Sequence, residues 1–185
     1  MDNKKRCFGS NNQLYAQYHD TQWGVPVHDD QLLFEMLILE GAQAGLSWET
    51  VLKKREGYRT AFYNFDPVKV AAMSDAQLDA LRENPNIIRN RLKINSARRN
   101  AQIVLAIQKE FGSFDAYVWS FVANKPRVNR WRSLQEIPAA TVESDALSCG
   151  LKKRGMNFVG STIMYAFMQA VGMVDDHIQE CWRRK

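Results

Sequence analysis

The sequence predicts an all-α fold, and three observations lead to this prediction. Apolar residues recur at helical spacing, in segments that begin and end at helix-capping residues. Alternating strand patterns bounded by hairpin turns are missing from the sequence. The chain has 185 residues, 45% of them hydrophobic, which suffices for one substantial core but not for two ordinary domains. We therefore expect one compact helical unit over residues 1–185.

Each predicted helix carries its own start or stop signal. Ser and Asp side chains cap helix N-termini, Pro is tolerated in the first helical turn, and Gly ends helices. In chain order, the predicted helices are Asp30 to about Ala44; one capped by Ser47 that runs toward Phe62; one opened by Asp66 and Pro67; a short one with a Ser74/Gln77 capping box that ends near Arg82; a long basic one from about Ile87 to Glu110, closed by Gly112; and an aromatic one starting at Ser113.

Composition narrows the class of function. Lys and Arg number 25 against 20 Asp and Glu, a net charge of +5 that favours a polyanionic partner without proving one. The basic residues fall in runs at 53–55, 89–99, 127–132 and 152–154, and each run by itself fits a solvated helix face. Three cysteines cannot form a closed disulfide framework, and no apolar run approaches the roughly 20 residues of a membrane span. We expect a cytoplasmic protein without a membrane segment.

The segment DALSCGLKKRGMNFVGSTIMYAFMQAVG, about 144–172, predicts a helix from Ser144, a tight turn framed by Gly155 and Gly160, and a second helix. Glycines let the backbone approach a phosphate, and the first N–H groups of the second helix, at Ser161 and Thr162, would point at it. Lys153 and its neighbours would add positive charge. The spacing alone fits an ordinary helical corner equally well, and we expect a last pair of helices after Gly160.

Four residues near the chain termini have the chemistry of a metal site. His177 and Cys181 are four positions apart, which would place both on one face of a helical turn. Cys7 and His19 offer a second pair, and two thiolates with two imidazoles complete a tetrahedral zinc set. Buried cysteines and hydrogen-bonded histidines are the alternative interpretation. Four protein ligands would leave no position for water, so a metal here would be structural.

A carboxylate lies on the apolar face of the first predicted helix. Glu40 shares that face with Leu33, Met36, Leu37 and Ala44, whereas Glu35 points elsewhere and can be solvated. Because an unpaired buried carboxylate costs several kcal/mol, Glu40 needs a structural partner or a ligand.

Aromatic residues lie on segments close to this helix, namely Trp23, Trp48, Tyr15 and Tyr18. Such residues are usually core, and they can equally sandwich a nucleobase.

Taken together, the segments LYAQYHDTQWGVP, LFEMLILEGAQAGLSWETVLKKRE, FDPVKVAAM, IIRNRLKI, SDALS and LKKRGMNFVGSTIMYAFMQAVGMVDDH resemble the DNA-3-methyladenine glycosylase I family of helix–hairpin–helix DNA glycosylases. The resemblance runs in register over nearly the whole chain. It implies a compact helical glycosylase fold whose N- and C-terminal segments are joined by a structural zinc ion, one per chain. It also implies an enzyme that binds alkylated double-stranded DNA, flips the damaged nucleotide and releases free 3-methyladenine. We expect a monomer, although the sequence does not fix the oligomeric state.

The resemblance assigns roles to individual positions. The implied catalytic and base-reading residue is Glu40, with Trp48, Tyr18 and Trp23 forming an aromatic base pocket. The implied zinc ligands are Cys7, His19, His177 and Cys181. The implied DNA-backbone contacts are Gly155, Gly160, Ser161, Thr162 and Lys153. No Lys follows Gly160, so the amine nucleophile of lyase-type relatives is missing and a monofunctional enzyme is expected.

Two positions depart from the family pattern. Phe8-Gly9-Ser10 stands where the family commonly has a Trp after the first cysteine, which changes the pocket wall contributed there. Asp175 stands where the family often has Asn; we expect it in the first turn of a helix, where negative charge is favourable, and a role as a second carboxylate near the scissile bond is the alternative. A non-catalytic binder of alkylated DNA and a glycosylase with another target base are the competing functions.

Overall fold

The computed structural model describes residues 4–184, and that part of the chain is mostly helical. Its α-helices, in chain order, are α1 (Gln13–Thr21), α2 (Asp30–Gln43), α3 (Trp48–Lys53), α4 (Arg55–Ala61), α5 (Pro67–Ala71), α6 (Asp75–Ala80), α7 (Arg91–Phe111), α8 (Phe114–Ser120), α9 (Val142–Lys153) and α10 (Ser161–Ala170). Short 3-10 turns occupy Tyr63–Phe65, Leu81–Glu83 and Leu134–Glu136. Within residues 4–184, no helix combines the length and apolarity needed to cross a membrane.

Side-chain caps set most helix starts where the sequence predicts them. Ser47, Asp66 and Ser113 accept hydrogen bonds from the first backbone N–H groups of α3, α5 and α8. Ser74 and Gln77 form the predicted capping box of α6. Gly112 ends α7 with a φ of 88°. These local signals act within one helical turn, so they are readable from the sequence.

Helix α2 lies at the centre of the fold. It contacts α3, α7, α8 and α10, and every residue from Leu33 to Ala42 is buried. The helix therefore has no solvated face over these residues, although its sequence contains two glutamates. Its carboxyl end points to the loop that carries Ser47 and leads into α3.

Several boundaries differ from the predicted ones. The helix capped by Ser47 breaks at Lys54 into α3 and α4, and the long basic helix begins at Arg91 rather than near Ile87. Helix α9 begins at Val142 rather than at Ser144, because Thr141 is its N-cap and Ser144 occupies the third helical position of a capping box.

The prediction of two helices after Gly160 was wrong. Helix α10 ends at Ala170, and Gly172, with a φ of +70°, turns the chain into the strand β2 (Val174–Asp175). This strand pairs in parallel with β1 (Arg127–Val128), Arg127 opposite Val174. The pair joins positions far apart in sequence, and a two-residue strand is too short to show an alternating pattern.

Candidate functional site

A cavity of about 280 Å³ lies beside α2, and residues from most parts of the chain line it. The lining residues are Phe8, Tyr15, Tyr18, Trp23, Glu40, Gln43, Trp48, Leu134, Ile137, Ala166 and Gln169. The four predicted pocket residues, Glu40, Trp48, Tyr18 and Trp23, are all among them. The size and the aromatic lining suit a flat ligand such as a nucleobase.

Glu40 supplies the acidic group of this cavity. Its side chain is 4% exposed, and its Oε2 atom has no hydrogen-bond partner among the residues that the structure describes. Burial raises the pKa of Glu40 to about 8 from an ordinary value of 4.5. An unsatisfied carboxyl oxygen inside a protein is costly unless a ligand supplies a donor, so Oε2 of Glu40 is a candidate ligand contact.

The aromatic side chains form two neighbouring pairs around the cavity. The rings of Tyr18 and Trp48 lie 5.3 Å apart, and those of Phe8 and Trp23 lie 5.0 Å apart. Burial, followed by the nearby Glu40, raises the pKa of Tyr18 well above its ordinary value, so its hydroxyl keeps its proton. Phe8, which stands where the family commonly has a Trp, forms part of the cavity wall, and its ring lies 4.7 Å from that of Tyr15.

Glu35, on the same helix, has a different environment. The expectation that Glu35 can be solvated is wrong, because its side chain is 3% exposed. Arg55 Nε donates to Glu35 Oε1 at 2.5 Å, and Arg59 donates to both carboxylate oxygens at 2.9 and 3.2 Å. Glu35 is thus a fully paired carboxylate, whereas one carboxyl oxygen of Glu40 has no partner among the described residues.

A cluster of thiol and imidazole groups lies behind the cavity. The ligand atoms of Cys7, His19 and Cys181 all lie within 4.8 Å of one another, and the three residues are buried. Sγ of Cys181 lies 3.3 Å from Nε2 of His19. Three of the four predicted metal ligands therefore come together from the two ends of the described chain, in a group that could hold a metal ion.

His177, the fourth predicted ligand, lies beside this cluster. Its ring is 5.2 Å from that of His19, and its buried Nε2 has no hydrogen-bond partner within residues 4–184. Its Nδ1 donates to Oδ1 of Asp175 at 2.6 Å, which leaves Nε2 as the ring atom with a lone pair. The predicted helix through His177 and Cys181 is absent, since these residues follow β2 in irregular backbone.

Each histidine is oriented by a carboxylate, as metal-ligating histidines usually are. Asp175 accepts from both Nδ1 and the backbone N–H of His177, and these bonds hold its pKa below the ordinary value although burial acts to raise it. The expectation that Asp175 lies in a helix N-terminal turn was wrong; it ends β2. Asp20 lies 2.9 Å from Nδ1 of His19 and is itself held by Arg6. The unpartnered Nε2 of His177 and the carboxylates that orient the two histidines are the features expected of a metal-binding group.

Cluster and cavity share a wall. The ring of Phe8 lies 5.0 Å from that of His19, and the ring of Trp23 lies 4.7 Å from that of His177. Gly24 makes the second contact possible, because a Cβ at this position would lie 2.8 Å from the His177 ring. The aromatic lining of the cavity therefore rests directly on the histidines of the cluster.

The two helices predicted around a glycine-framed turn are α9 and α10. The two glycines of the turn, Gly155 and Gly160, differ in backbone conformation and surroundings. Gly155 has a φ of +93°, which L-residues rarely adopt, so the turn itself requires it. Gly160 has an ordinary φ of −63°, and a Cβ there would meet no atom within 4 Å among the described residues. The described residues therefore do not require glycine at position 160.

The remaining predicted turn residues are arranged around the start of α10. Thr162 and Lys153 are exposed, and Lys153 ends α9. The Ser161 hydroxyl is 2.9 Å from that of Ser144, so its side chain ties the two helices together while its backbone N–H begins α10. Gly160, the N-cap of α10, has no side chain that could accept from the first N–H groups of that helix, and helix N-termini of this kind can bind anions.

Sequence reasoning missed the residues that connect the turn to the cavity. On α7, Lys93 donates to the carbonyls of Ala42 and Ala44 at the end of α2, at 2.8 and 2.7 Å. Two helical turns later, Asn100 exchanges two hydrogen bonds with the backbone of Asn157 in the turn. The only available signal was their shared helix face. Helix α7 thereby fixes the turn relative to the cavity.

The chain is similar in sequence to known proteins. A model of the methyladenine glycosylase family matches residues 8–184. The DNA-3-methyladenine glycosylase 1 of Escherichia coli strain K12 is 52% identical over 178 residues, covering 96% of the chain and 95% of the relative. The DNA-3-methyladenine glycosylase of Haemophilus influenzae is 51% identical over 168 residues, covering 91% of each.

Solved structures agree with these relatives. A crystal structure of a 3-methyladenine DNA glycosylase I matches with a TM-score of 0.95 at 50% identity. The match covers 98% of this chain and 100% of the solved chain. The Staphylococcus aureus 3-methyladenine DNA glycosylase I, solved for its recognition of 3-methyladenine, matches with a TM-score of 0.94 at 37% identity, covering 97% and 95%.

Proposed function

The chain belongs to the methyladenine glycosylase family, and we propose that it is a monofunctional DNA glycosylase that excises 3-methyladenine from alkylated double-stranded DNA in base excision repair. One observation carries the proposal: a buried carboxyl oxygen, Oε2 of Glu40, faces no protein donor within residues 4–184 and belongs to a residue that lines an aromatic cavity of nucleobase size. Family membership supports the type of reaction, and this oxygen supports Glu40 as the residue that recognises the base.

The base reaches the cavity only after the damaged nucleotide leaves the duplex. Methylation weakens its pairing and stacking, which lowers the cost of this extrusion. Inside, the rings of Tyr18, Trp23 and Trp48 offer stacking surfaces, and Glu40 accepts hydrogen bonds from the N–H groups of the base edge. Because burial raises the pKa of Glu40, a positively charged base favours the ionised carboxylate, whereas neutral adenine offers no charge to offset its desolvation.

The chemistry follows from the charge of the lesion. The bond between C1′ and the base nitrogen breaks, its electron pair leaves with the base, and 3-methyladenine departs neutral while the sugar develops positive charge. Water oxygen then bonds to C1′ and its proton passes to solvent, so an abasic site remains. The carboxylate of Glu40 stabilises the positive charge of the base and sugar, and little general-acid work is needed.

The turn between α9 and α10 acts in this proposal as the DNA-backbone grip, a helix–hairpin–helix. Gly155 shapes the turn, Gly160 lets a phosphate approach the N–H groups of Ser161 and Thr162, and Lys153 adds positive charge. We also propose a cytoplasmic location, as for a bacterial DNA-repair enzyme. We propose a monomer as well, since one flipped base needs one pocket and one grip on the DNA backbone.

We also propose that Cys7, His19, His177 and Cys181 hold one zinc ion per chain. Two thiolates and two imidazoles suit zinc, and the unpartnered Nε2 of His177 supports its inclusion as the fourth ligand. Bound there, zinc would supply a structural cross-link between the two ends of the chain, with no position left for water.

Metal analysis beside thermal unfolding tests the zinc site. We expect His177→Ala to lose zinc and several degrees of Tm, because the ligand set is broken. His28→Ala is the matched control, since His28 is exposed and pairs with Asp115 away from the cluster. A metal-free wild type that is as stable as the zinc-loaded protein would contradict the proposal.

Release of bases from alkylated DNA tests the activity. The wild type should free 3-methyladenine and leave intact strands that break only when the abasic sites are cleaved by alkali. Retention of alkylated DNA without any free base would identify a non-catalytic binder. Release of a different modified base would identify a glycosylase of other specificity.

A further inference from the structure

Asp176 is a buried carboxylate that the proposed reaction does not use. Its side chain has no solvent exposure, and it accepts four hydrogen bonds. Four donors match the roughly four lone-pair sites of a carboxylate, so its burial is fully compensated. Because these donors come from separate segments, we infer that Asp176 joins those segments.

The donors come from two sides. Asn129 Nδ2 and Trp131 Nε1 both donate to Oδ1 at 2.7 Å. They belong to residues 129–137, a segment that includes the 3-10 turn Leu134–Glu136 and that we call the strap. Tyr165 Oη and Gln169 Nε2 donate to Oδ2 at 2.7 and 2.8 Å, and both lie on α10. Asp176 therefore fastens the strap to α10 through its two carboxylate oxygens.

The strap is part of the cavity wall. Leu134 and Ile137 line the cavity together with Glu40, and Gln169 lines it from α10. The backbone hydrogen bonds found at Glu136 and Ile137 run to Ser133 and Leu134, inside the strap itself. These bonds shape the turn but do not hold it against the rest of the protein.

The first residues of the strap make the hydrogen bonds that hold it to the rest of the protein. The N–H of Asn129 donates to the Asp175 carbonyl at 3.0 Å, and the Trp131 carbonyl accepts from Gln179 N–H at 2.9 Å. The side chains of Asn129 and Trp131 add the two bonds to Asp176. The position of Leu134 and Ile137 thus depends on how firmly the first residues of the strap are held.

Asp175 and Asp176 serve different sites because neighbouring residues of an extended strand end point to opposite sides. Asp175 accepts from His177 at the thiol and imidazole cluster, while Asp176 accepts from the strap and α10 at the cavity. Two adjacent carboxylates in one short segment therefore support two separate sites.

We propose that Asp176 is a positioning residue of the base cavity. By holding the strap through Asn129 and Trp131, it sets the wall made by Leu134 and Ile137 and thereby the affinity for the base, which it does not touch. The inference rests on the proposed function for the identity of the ligand, free 3-methyladenine.

Two matched variants separate positioning from general stability. Trp131→Phe removes one of the two strap donors to Oδ1 and keeps a ring, and Tyr165→Phe removes one of the two α10 donors to Oδ2 and keeps a ring. Each takes one hydrogen bond from Asp176. We expect Trp131→Phe to raise the Kd for free 3-methyladenine roughly five- to tenfold, and Tyr165→Phe to change it less than about twofold despite an equal or larger fall in Tm.

Hydrogen–deuterium exchange of the free proteins gives an independent readout. Amides of residues 129–137 should exchange faster in Trp131→Phe and in Asp176→Asn than in the wild type, and at the wild-type rate in Tyr165→Phe. Unchanged affinity in Trp131→Phe with a loosened strap would overturn the proposal, and so would equal affinity losses in the two ring variants. A wild type that fails to bind 3-methyladenine would instead overturn the proposed function, while strap exchange would still decide the role of Asp176 as anchor.

Discussion

Two glutamates on helix α2 are equally buried and have opposite environments. Glu35 is 3% exposed and receives three hydrogen bonds from Arg55 and Arg59. Glu40, little more than one helical turn later, is 4% exposed, and its Oε2 has no partner within the described chain. Burial alone therefore does not distinguish the two carboxylates, whereas their hydrogen-bond partners do.

The difference has an energetic meaning. A buried carboxylate with two arginines is compensated inside the protein, so removing its charge takes from both arginines their shared buried partner. A buried carboxylate with a free oxygen is compensated only when a ligand arrives, so removing it relieves the free protein. Variants at the two positions should change stability in opposite directions, and only one should change binding.

The largest expected effect on stability is that of Glu35→Gln. We expect a loss of about 3 kcal/mol in the free energy of unfolding, because Arg55 and Arg59 lose their common partner. Urea unfolding at pH 7 measures it. The control is Glu56→Gln, which removes a largely exposed partner of Arg59 and should cost less than about 1 kcal/mol. Equal losses in the two variants would show that Glu35 is not structurally special.

A smaller effect of opposite sign is expected for Glu40→Gln. The pKa of Glu40 is about 8 in the folded protein and 4.5 ordinarily, so between these values the unfolded chain releases a proton that the folded one keeps. Wild-type stability should therefore fall relative to the variant as pH rises from 4.5 to 8, and the difference should be constant above 8.

We expect this difference to reach roughly 1–3 kcal/mol above pH 8, less than the full pKa shift implies, because the amide is also a buried polar group. Thermal unfolding of both proteins across the pH range measures it. Parallel stability curves would mean that Glu40 is compensated within the protein, as Glu35 is.

The smallest expected effects extend the contrast to two glycines. Gly155→Ala should lose about 1 kcal/mol of stability, because an L-residue is strained at a φ of +93°. Gly160→Ala should keep or slightly raise stability and weaken binding of DNA severalfold, since only a ligand would meet its Cβ. Fluorescence anisotropy with a DNA duplex measures the affinity; unchanged affinity in Gly160→Ala would remove the argument for a phosphate at that position.

The sequence predicted those features that depend on one helical turn. The caps of α3, α5, α6 and α8 are such features, and the family resemblance named the residues of the cavity and the cluster. Helix phase also predicted a buried Glu40. The same reasoning placed Glu35 in solvent, because it assumes one polar face, and α2 has none between Leu33 and Ala42.

Long-range contacts account for the rest. The partners of Glu35 lie on α4, and those of Asp176 lie on the strap and α10, so neither set can be read from local spacing. His177 and Cys181 were predicted on a helix because four positions fit one helical turn. They meet the N-terminal residues from irregular backbone instead, since β1 and β2 fix the chain before them.

Calorimetric titration of free 3-methyladenine into the wild type, Glu35→Gln and Glu40→Gln tests the central claim most directly. The claim is that the unpartnered carboxylate of α2 reads the base and the paired one does not. We predict that Glu40→Gln raises the Kd roughly 10- to 100-fold and that Glu35→Gln, measured well below its Tm, stays within about twofold of the wild type. Wild-type affinity in Glu40→Gln would contradict it.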